Sequence, residues 1–266
     1  MNPVRQGRAS VEKSLDAART SACATMKRLF INADDFGFTR DVNAGIIQAH
    51  REGVLTSTTL MASGDAFDDA IRLARETPTL DVGCHLVLVQ GRSLVDGRYF
   101  PESPLQLVFQ KIDAYAELRA QIEKICGTGI RPTHLDSHKH THLLPGVFRA
   151  VVRLAREFSI PYIRRPLPRI GYYRRLAHAN GIRMTDQLLG FRLTGTLTEE
   201  TLAAAIEGLR EGETEFLCHP GLLGPELAQA RTRLKESRVR ELEALTSPRI
   251  RDLINANGVR LGPFRK

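Results

Sequence analysis

The chain has 266 residues, 42% of them hydrophobic and 26% charged, with a formal net charge of +8 at neutral pH. That balance excludes a disordered or fibrous chain, and no apolar run approaches the roughly 18 residues that a membrane-crossing helix needs. The four cysteines, Cys23, Cys84, Cys126 and Cys218, show no CxxC spacing, so they read as buried thiols rather than as a disulfide frame or a cysteine zinc site.

Residues 1–26 carry Arg5, Arg8, Lys13 and Arg19 without a continuous apolar stretch. They read as a flexible N-terminal extension rather than a secretory signal, which points to a cytoplasmic protein whose folded domain covers 27–266. The first strand is expected at 28–33 and runs into Asp34-Asp35-Phe36-Gly37. Two adjacent carboxylates there are either a turn or helix-cap pair, or site residues. The C-terminal end of a strand faces the active site in an α/β barrel, and a turning backbone lets both reach one cleft.

Helices expected at 41–52 and 65–76, with Asp41 and Asp65 as N-cap candidates, flank a strand at 54–62. The strand at 80–88 contains Gly83-Cys84-His85-Leu86. A lone histidine in an apolar strand is often a satisfied core residue, and the alternative is a ligand. Segment 89–110 carries Gly91, Gly97, Pro101 and Pro104, fits no regular element, and reads as an excursion that shapes a cleft.

After a helix at 111–126 comes a strand at 131–136, which opens the run from Pro132 to His142. His134, Asp136, His138, His140 and His142 stand at alternate positions, and extended backbone projects such a set onto one face. The plain reading is a solvated histidine-rich loop. Burying so many unpaired polar groups is costly and protonated imidazoles repel, so a cleft holding a metal is the more economical reading. Leu144-Pro145-Gly146 begins the next helix, which places His138 at the strand end as a ligand and His140 and His142 in the loop above.

A helix at 145–158 has Pro145 in its first turn, and a strand follows at 160–164. A second excursion, 164–197, holds Pro166, Pro168, Gly190 and Gly195 around a short helix at 172–180 and a strand at 183–188. Thr198 opens a helix at 198–210. The strand at 214–218 leads into Cys218-His219-Pro220-Gly221, where His219 is either a buried strand-end residue or part of a site, and a last helix covers 233–256. Short apolar strands alternating with amphipathic helices, with no Gly/Ser linker, describe one α/β domain of parallel strands. Seven strands is close to the number in a barrel.

One carboxylate and two imidazoles are a common ligand set for zinc and other divalent ions, and three protein ligands leave a position open for chemistry. Such an ion lowers the pKa of the water it binds from about 15.7 towards roughly 7 and polarises a carbonyl oxygen, so hydrolysis of an amide is the natural reaction. By position, Asp34 suits a general base and His219 a general acid.

Six stretches in order carry a resemblance: Asn32 to Gly37, Val42-Asn43 with Gly45-Ile46, Gly53 to Thr58, Gly83 to Leu86, Thr133 to His142 and Cys218 to Gly221. Together they resemble the YdjC-like carbohydrate deacetylase family, which includes chitooligosaccharide deacetylases and deacetylases of hopanoid biosynthesis. The resemblance implies a single-domain, TIM-barrel-like (β/α)7 fold, a divalent cofactor (magnesium or zinc), and removal of an N-acetyl group from an acetamido sugar. It assigns Asp35, His85 and His138 to the metal, Asp34 to the base and His219 to the acid or transition-state partner. His134, Asp136, His140 and His142 would orient ligands or contact substrate. Segments 89–112 and 164–197 are shorter than in family members with long lids. His85 to Gly91 and the Ser137-His-Lys-His pattern resemble the hopanoid branch, so soluble and lipid-linked sugars both stand as substrates. At most peripheral membrane contact is expected, and a homodimer is left open.

Two readings of other classes accompany this one. A metal-dependent phosphoesterase predicts a second metal and phosphate release. A non-enzymatic, basic nucleic-acid-binding protein predicts binding that weakens steeply with salt. Basic residues are scattered among acidic ones rather than clustered, so no nucleic-acid partner is expected.

Overall fold

Strand β1 (Lys27–Phe36) alternates its side chains between two environments, as a strand must. Leu29, Ile31 and Ala33 enter the main hydrophobic core, whereas Phe30 joins Tyr162 and Phe264 in a separate aromatic cluster. The first set lies under the helices and the second lines the inner face of the sheet. The computed structural model that shows this describes residues 26–166 and 170–265. The expected N-terminal extension, with Cys23, therefore lies outside the described residues, as does Pro168.

Each strand is followed by helical crossovers. After β1 come α1 (Arg40–Arg51), β2 (Ser57–Leu60), α2 (Phe67–Glu76), β3 (Asp81–Leu86), α3 (Pro104–Val108), α4 (Ala114–Gly127) and β4 (His134–Ser137). Then follow α5 (Pro145–Glu157), β5 (Tyr162–Ile163), α6 (Ile170–Ala179), β6 (Gln187–Leu189), α7 (Glu199–Glu207), β7 (Gly212–Cys218), α8 (Pro225–Gln229), α9 (Glu236–Thr246), α10 (Pro248–Ala256) and β8 (Arg260–Leu261). The sheet order is β5-β4-β3-β2-β1-β7-β6, with β8 beside β1, and the named strands pair in parallel throughout.

Side chains show how far this sheet curls. β5 ends the order and β7 lies near its other end, yet Arg164, just past β5, donates to Glu215 of β7 at 2.6 Å. The Tyr162 hydroxyl of β5 also lies 3.2 Å from Glu213 of β7. A lone parallel bridge between Tyr162 and Arg183 narrows the gap between β5 and β6. Seven main parallel strands thus form a barrel-like wall with helices outside, the α/β architecture read from the sequence.

The interior is layered. Phe264 of the C-terminal segment stacks on Phe30 (centroids 4.4 Å apart) and on His134 (4.1 Å), filling the barrel floor. A Cβ at Gly83 would lie 2.5–2.7 Å from the His134 carbonyl and ring, so glycine is required for that imidazole to cross the interior. Above this floor the inward side chains are polar and lead up to the site.

Several local expectations are corrected. The side-chain cap of α1 is Thr39, which accepts from the Val42 amide; Asp41 instead accepts from the Leu227 amide of α8. Ala66, not Asp65, occupies the cap position of α2, without a side-chain bond. The helix expected over 233–256 is two, because Pro248 lacks an amide hydrogen and holds Ser247 extended (ψ 126°) between α9 and α10. Segment 89–110 contains an antiparallel bridge between Arg92 and Tyr99 and the short helix α3. Among the described residues, Cys84, Cys126 and Cys218 are free thiols, and no helix is long and apolar enough to cross a membrane.

Candidate active site

The C-terminal ends of β1, β3 and β4 converge on one cleft, and each brings a side chain for a reason visible in its backbone. On β1, alternation points Phe30, Asn32 and Asp34 inward. Asp35 would then face the helices, but the register with β2 shifts between Ala33 and Phe36 and Asp35 takes a left-handed conformation (φ 70°). That irregularity brings both carboxylates to the same opening. A non-glycine residue held in this region is strained, which is tolerated where the surroundings fix it. Here they do: Asp35 Oδ2 accepts from buried Arg238 of α9 at 2.5 Å.

On β3 and β4, His85 and Asp136 are register partners and share the inner face, where His85 Nδ1 meets Asp136 Oδ1 at 2.7 Å. Thr59 of β2 donates to the other Asp136 oxygen at 2.9 Å. The strand ends at Ser137, so the alternation of the histidine run stops there. Lys139 and His140 take positive φ values of 48° and 53°, and the chain turns through a 3₁₀ segment, His138–Leu143. His138 is the first residue past the strand, and the turn aims its ring back at His85 and Asp35.

Three electron-pair donors therefore meet. Asp35 Oδ1 lies 3.3 Å from His85 Nε2 and 3.2 Å from His138 Nδ1, and the two histidine nitrogens are 3.3 Å apart. With metal–ligand bonds of about 2.1 Å, cis octahedral ligands stand about 3.0 Å apart and tetrahedral ligands about 3.4 Å. The nearly equilateral triangle falls between those values. Because Asp136 takes the Nδ1 proton of His85, its Nε2 lone pair faces two other acceptors, a repulsive arrangement unless a cation lies between them. Without an ion that cation is a proton. Burial pushes His85 down, but the facing Asp136 and Asp35 outweigh it and raise its pKa to about 10. The donor set fits a divalent ion.

A second cluster lies deeper. Arg164 forms two bonds to Asp34, of 2.7 and 2.6 Å, and also reaches Asp136 at 2.8 Å and Glu215 at 2.6 Å. All four groups are at most 2% exposed. Burial raises a carboxyl, but the Arg164 guanidinium more than offsets it at Asp34 and holds that group well below the usual range. Glu215 has the smaller share of the same cation. Burial, with Asp136 and Asp34 nearby, keeps its pKa up at about 7. Asp35, beside Arg238, is likewise lowered against its burial.

His219 follows β7, with its amide held by Glu241 at 2.6 Å and its Nε2 3.9 Å from Asp34 Oδ2. Its Nδ1 is buried without a hydrogen-bond partner. Close packing positions this loop: a Cβ at Gly45 of α1 would lie 2.4 Å from the Gly221 backbone. The four residues expected to orient ligands or meet substrate occupy different places. Asp136 fixes His85. His134 is enclosed between Asn32 and Phe264, with burial, then Arg164, pushing its pKa down to about 3. His142 is buried beside Ser137. His140 is half-buried and packs on Phe191, with ring centroids 4.6 Å apart.

Sequence reasoning missed Arg164, Arg238, Glu215 and Glu241. Glu213 and Glu215 stand at alternate positions of a strand that continues into the apolar Phe216 and Leu217, which was a readable sign of a polar barrel interior. Arg238 lies in α9 with Arg240 and three glutamates, the pattern of an ordinary solvated charged helix, and left no local signal.

The model of the family described as "YdjC-like protein" matches residues 28–256. The chain belongs to this family. As a YdjC-like protein it is 36% identical to a carbohydrate deacetylase of Geobacillus stearothermophilus, over 89% of this chain and 96% of the relative. It is 33% identical to a carbohydrate deacetylase of Clostridium beijerinckii, over 90% and 99% respectively. Its fold matches a crystal structure from Enterococcus faecalis V583, provisionally named a cellobiose-phosphate cleavage protein, with a TM-score of 0.80. That pair shares 29% identity over 90% of this chain and 98% of the other.

Proposed function

We propose that this chain is a carbohydrate N-deacetylase that uses a divalent ion held by Asp35, His85 and His138 to hydrolyse the acetamido group of a sugar. The observation that carries the reading is the convergence of those three donors at 3.2–3.3 Å beside a separate, ionised Asp34. The named activity of the relatives supports the same reaction.

A divalent ion, magnesium or zinc, held by Asp35, His85 and His138 would supply Lewis acidity at this position, which would ease deprotonation of water near neutral pH and polarise the acetamide carbonyl. Asp34 takes the proton of the attacking water, and Arg164 holds the carboxylate in one orientation. His219, across the cleft mouth from Asp34, gives a proton to the departing sugar amine. Asp136 keeps the Nε2 lone pair of His85 directed at the metal site, and Arg238 does the same for Asp35. Of the other four residues of the histidine run, half-buried His140 is the one we assign to substrate contact.

The phosphoesterase reading needs a second ion. Among the described residues the other grouping of potential ligands is Asp34, His85 and Asp136, whose carboxylates already share the Arg164 guanidinium, so their negative charge is met. The structural relationship therefore favours one ion and amide hydrolysis.

Acetate release from N-acetylglucosamine oligomers, from an N-acetylglucosaminyl lipid and, in parallel, phosphate release from sugar phosphates tests the reading. Acetate from either acetamido substrate supports it and distinguishes the soluble from the lipid-linked branch. Phosphate alone would overturn it.

A further inference from the structure

Beneath the site, a line of polar contacts crosses the barrel interior to its floor. Asn32 Nδ2 lies 3.1 Å from Asp34 Oδ1, and Asn32 Oδ1 lies 2.8 Å from His134 Nε2. His134 Nδ1 lies 2.9 Å from the Thr133 hydroxyl, which lies 2.9 Å from Asp81 Oδ1. Asp81 Oδ2 accepts from the backbone amide of Arg265, and Phe264 stacks on the His134 ring. Asn32, His134 and Asp34 are at most 2% exposed, so a wrongly paired donor or acceptor here has no water to turn to.

The direction of the line is set from its upper end. Asp34, paired twice with Arg164, only accepts hydrogen bonds, so the Asn32 amide must turn its NH₂ towards it. The Asn32 carbonyl then faces His134, which must carry its proton on Nε2 and accept at Nδ1 from Thr133. The single proton of the Thr133 hydroxyl is shared between His134 Nδ1 and Asp81 Oδ1, each 2.9 Å away. From His134 through Asn32 each donor points towards Asp34, an arrangement in which each bond polarises the next. An amide does not pass protons onward, so the line orients rather than conducts.

We infer that Asn32 and His134 are positioning residues that select which Asp34 oxygen acts as the base. This rests on the reading of Asp34 proposed above. Oδ1 accepts from both Arg164 and Asn32 and is saturated, whereas Oδ2 accepts from Arg164 alone and faces His219. Oδ2 is the oxygen left to take the proton of water. The C-terminal segment is thereby tied to the chemistry, because Phe264 and Arg265 hold the far end of the line.

Nitrogen-15 NMR of the zinc-loaded full chain reads the tautomer of His134, assigned by comparison with His134→Gln. The Nε2–H form is expected. The Nδ1–H form would mean that the Asn32 amide is reversed, and overturns the inference. In parallel, Asn32→Ala and His134→Phe are expected to lower kcat about tenfold with KM within about twofold and zinc uptake unchanged, while His134→Gln, which can still donate to Asn32, restores most of the rate. Full kcat in both disruptive variants would equally overturn it. The tautomer is read without turnover, so an inactive protein with the Nε2–H form counts against the deacetylase reading and not against the line.

Discussion

Arg164, just past β5, and Asp34 of β1 meet through two parallel hydrogen bonds of 2.6 and 2.7 Å inside the barrel, although β5 and β1 are not sheet neighbours. This contact both holds the curled sheet together across its interior and keeps the proposed base ionised. Arg164→Met should therefore cost stability before anything else. It leaves Asp34, Asp136 and Glu215 buried without their cation, a loss of about 3–5 kcal/mol. Arg164→Lys keeps the charge but not the forked geometry, and should fold with reduced kcat. Urea unfolding and acetate release measure both, and a stable Met variant would show that the carboxylates are neutral in the fold.

Asp34→Asn separates binding from chemistry. The substitution preserves shape next to Arg164 and leaves the Asp35, His85 and His138 triangle untouched, so metal uptake should persist while kcat falls by roughly a hundredfold or more. Calorimetric titration with zinc, together with kinetics, checks this. A variant that loses the ion would exchange the roles of Asp34 and Asp35.

Glu215 gives a pH signature. Its folded pKa is raised to about 7 by burial among carboxylates, above the value of about 4.3 expected in the unfolded chain. The protonated form thus favours the fold: this contribution is fully present below pH 4.3 and disappears as pH rises through 7. Relative to Glu215→Gln, which mimics the protonated acid, the natural protein should be equally stable near pH 4.5. It should fall behind by up to about 4 kcal/mol above pH 7. Unfolding midpoints of the two proteins across that interval provide the comparison, and parallel curves would contradict the argument.

Much of this site was legible because its residues announce themselves locally. The Asp34-Asp35 pair, the inward His85 and the histidine run all sit at strand ends, and strand periodicity places strand ends at one face. Alternation stops at Ser137, because β4 is only four residues long and Lys139 and His140 turn the chain with positive φ. His138 nevertheless reaches Asp35 and His85. Arg164 and Arg238 were not legible, since their partners lie 130 and 203 positions away and pairing at that range depends on the curl of the sheet. The same holds for β8 and Phe264, whose docking at the barrel floor follows from tertiary packing and not from local propensity.

Metal dependence is the central claim, and titration of the metal-stripped full chain with zinc, followed by acetate release from an N-acetylglucosamine oligomer, tests it most directly. One ion should bind per chain and restore activity in proportion to occupancy. His138→Ala, whose replaced side chain is 19% exposed at the cleft and lies outside the hydrophobic core clusters, should remain folded and bind at least about tenfold more weakly. Full activity in the stripped protein, or unchanged zinc affinity in His138→Ala, would contradict the account.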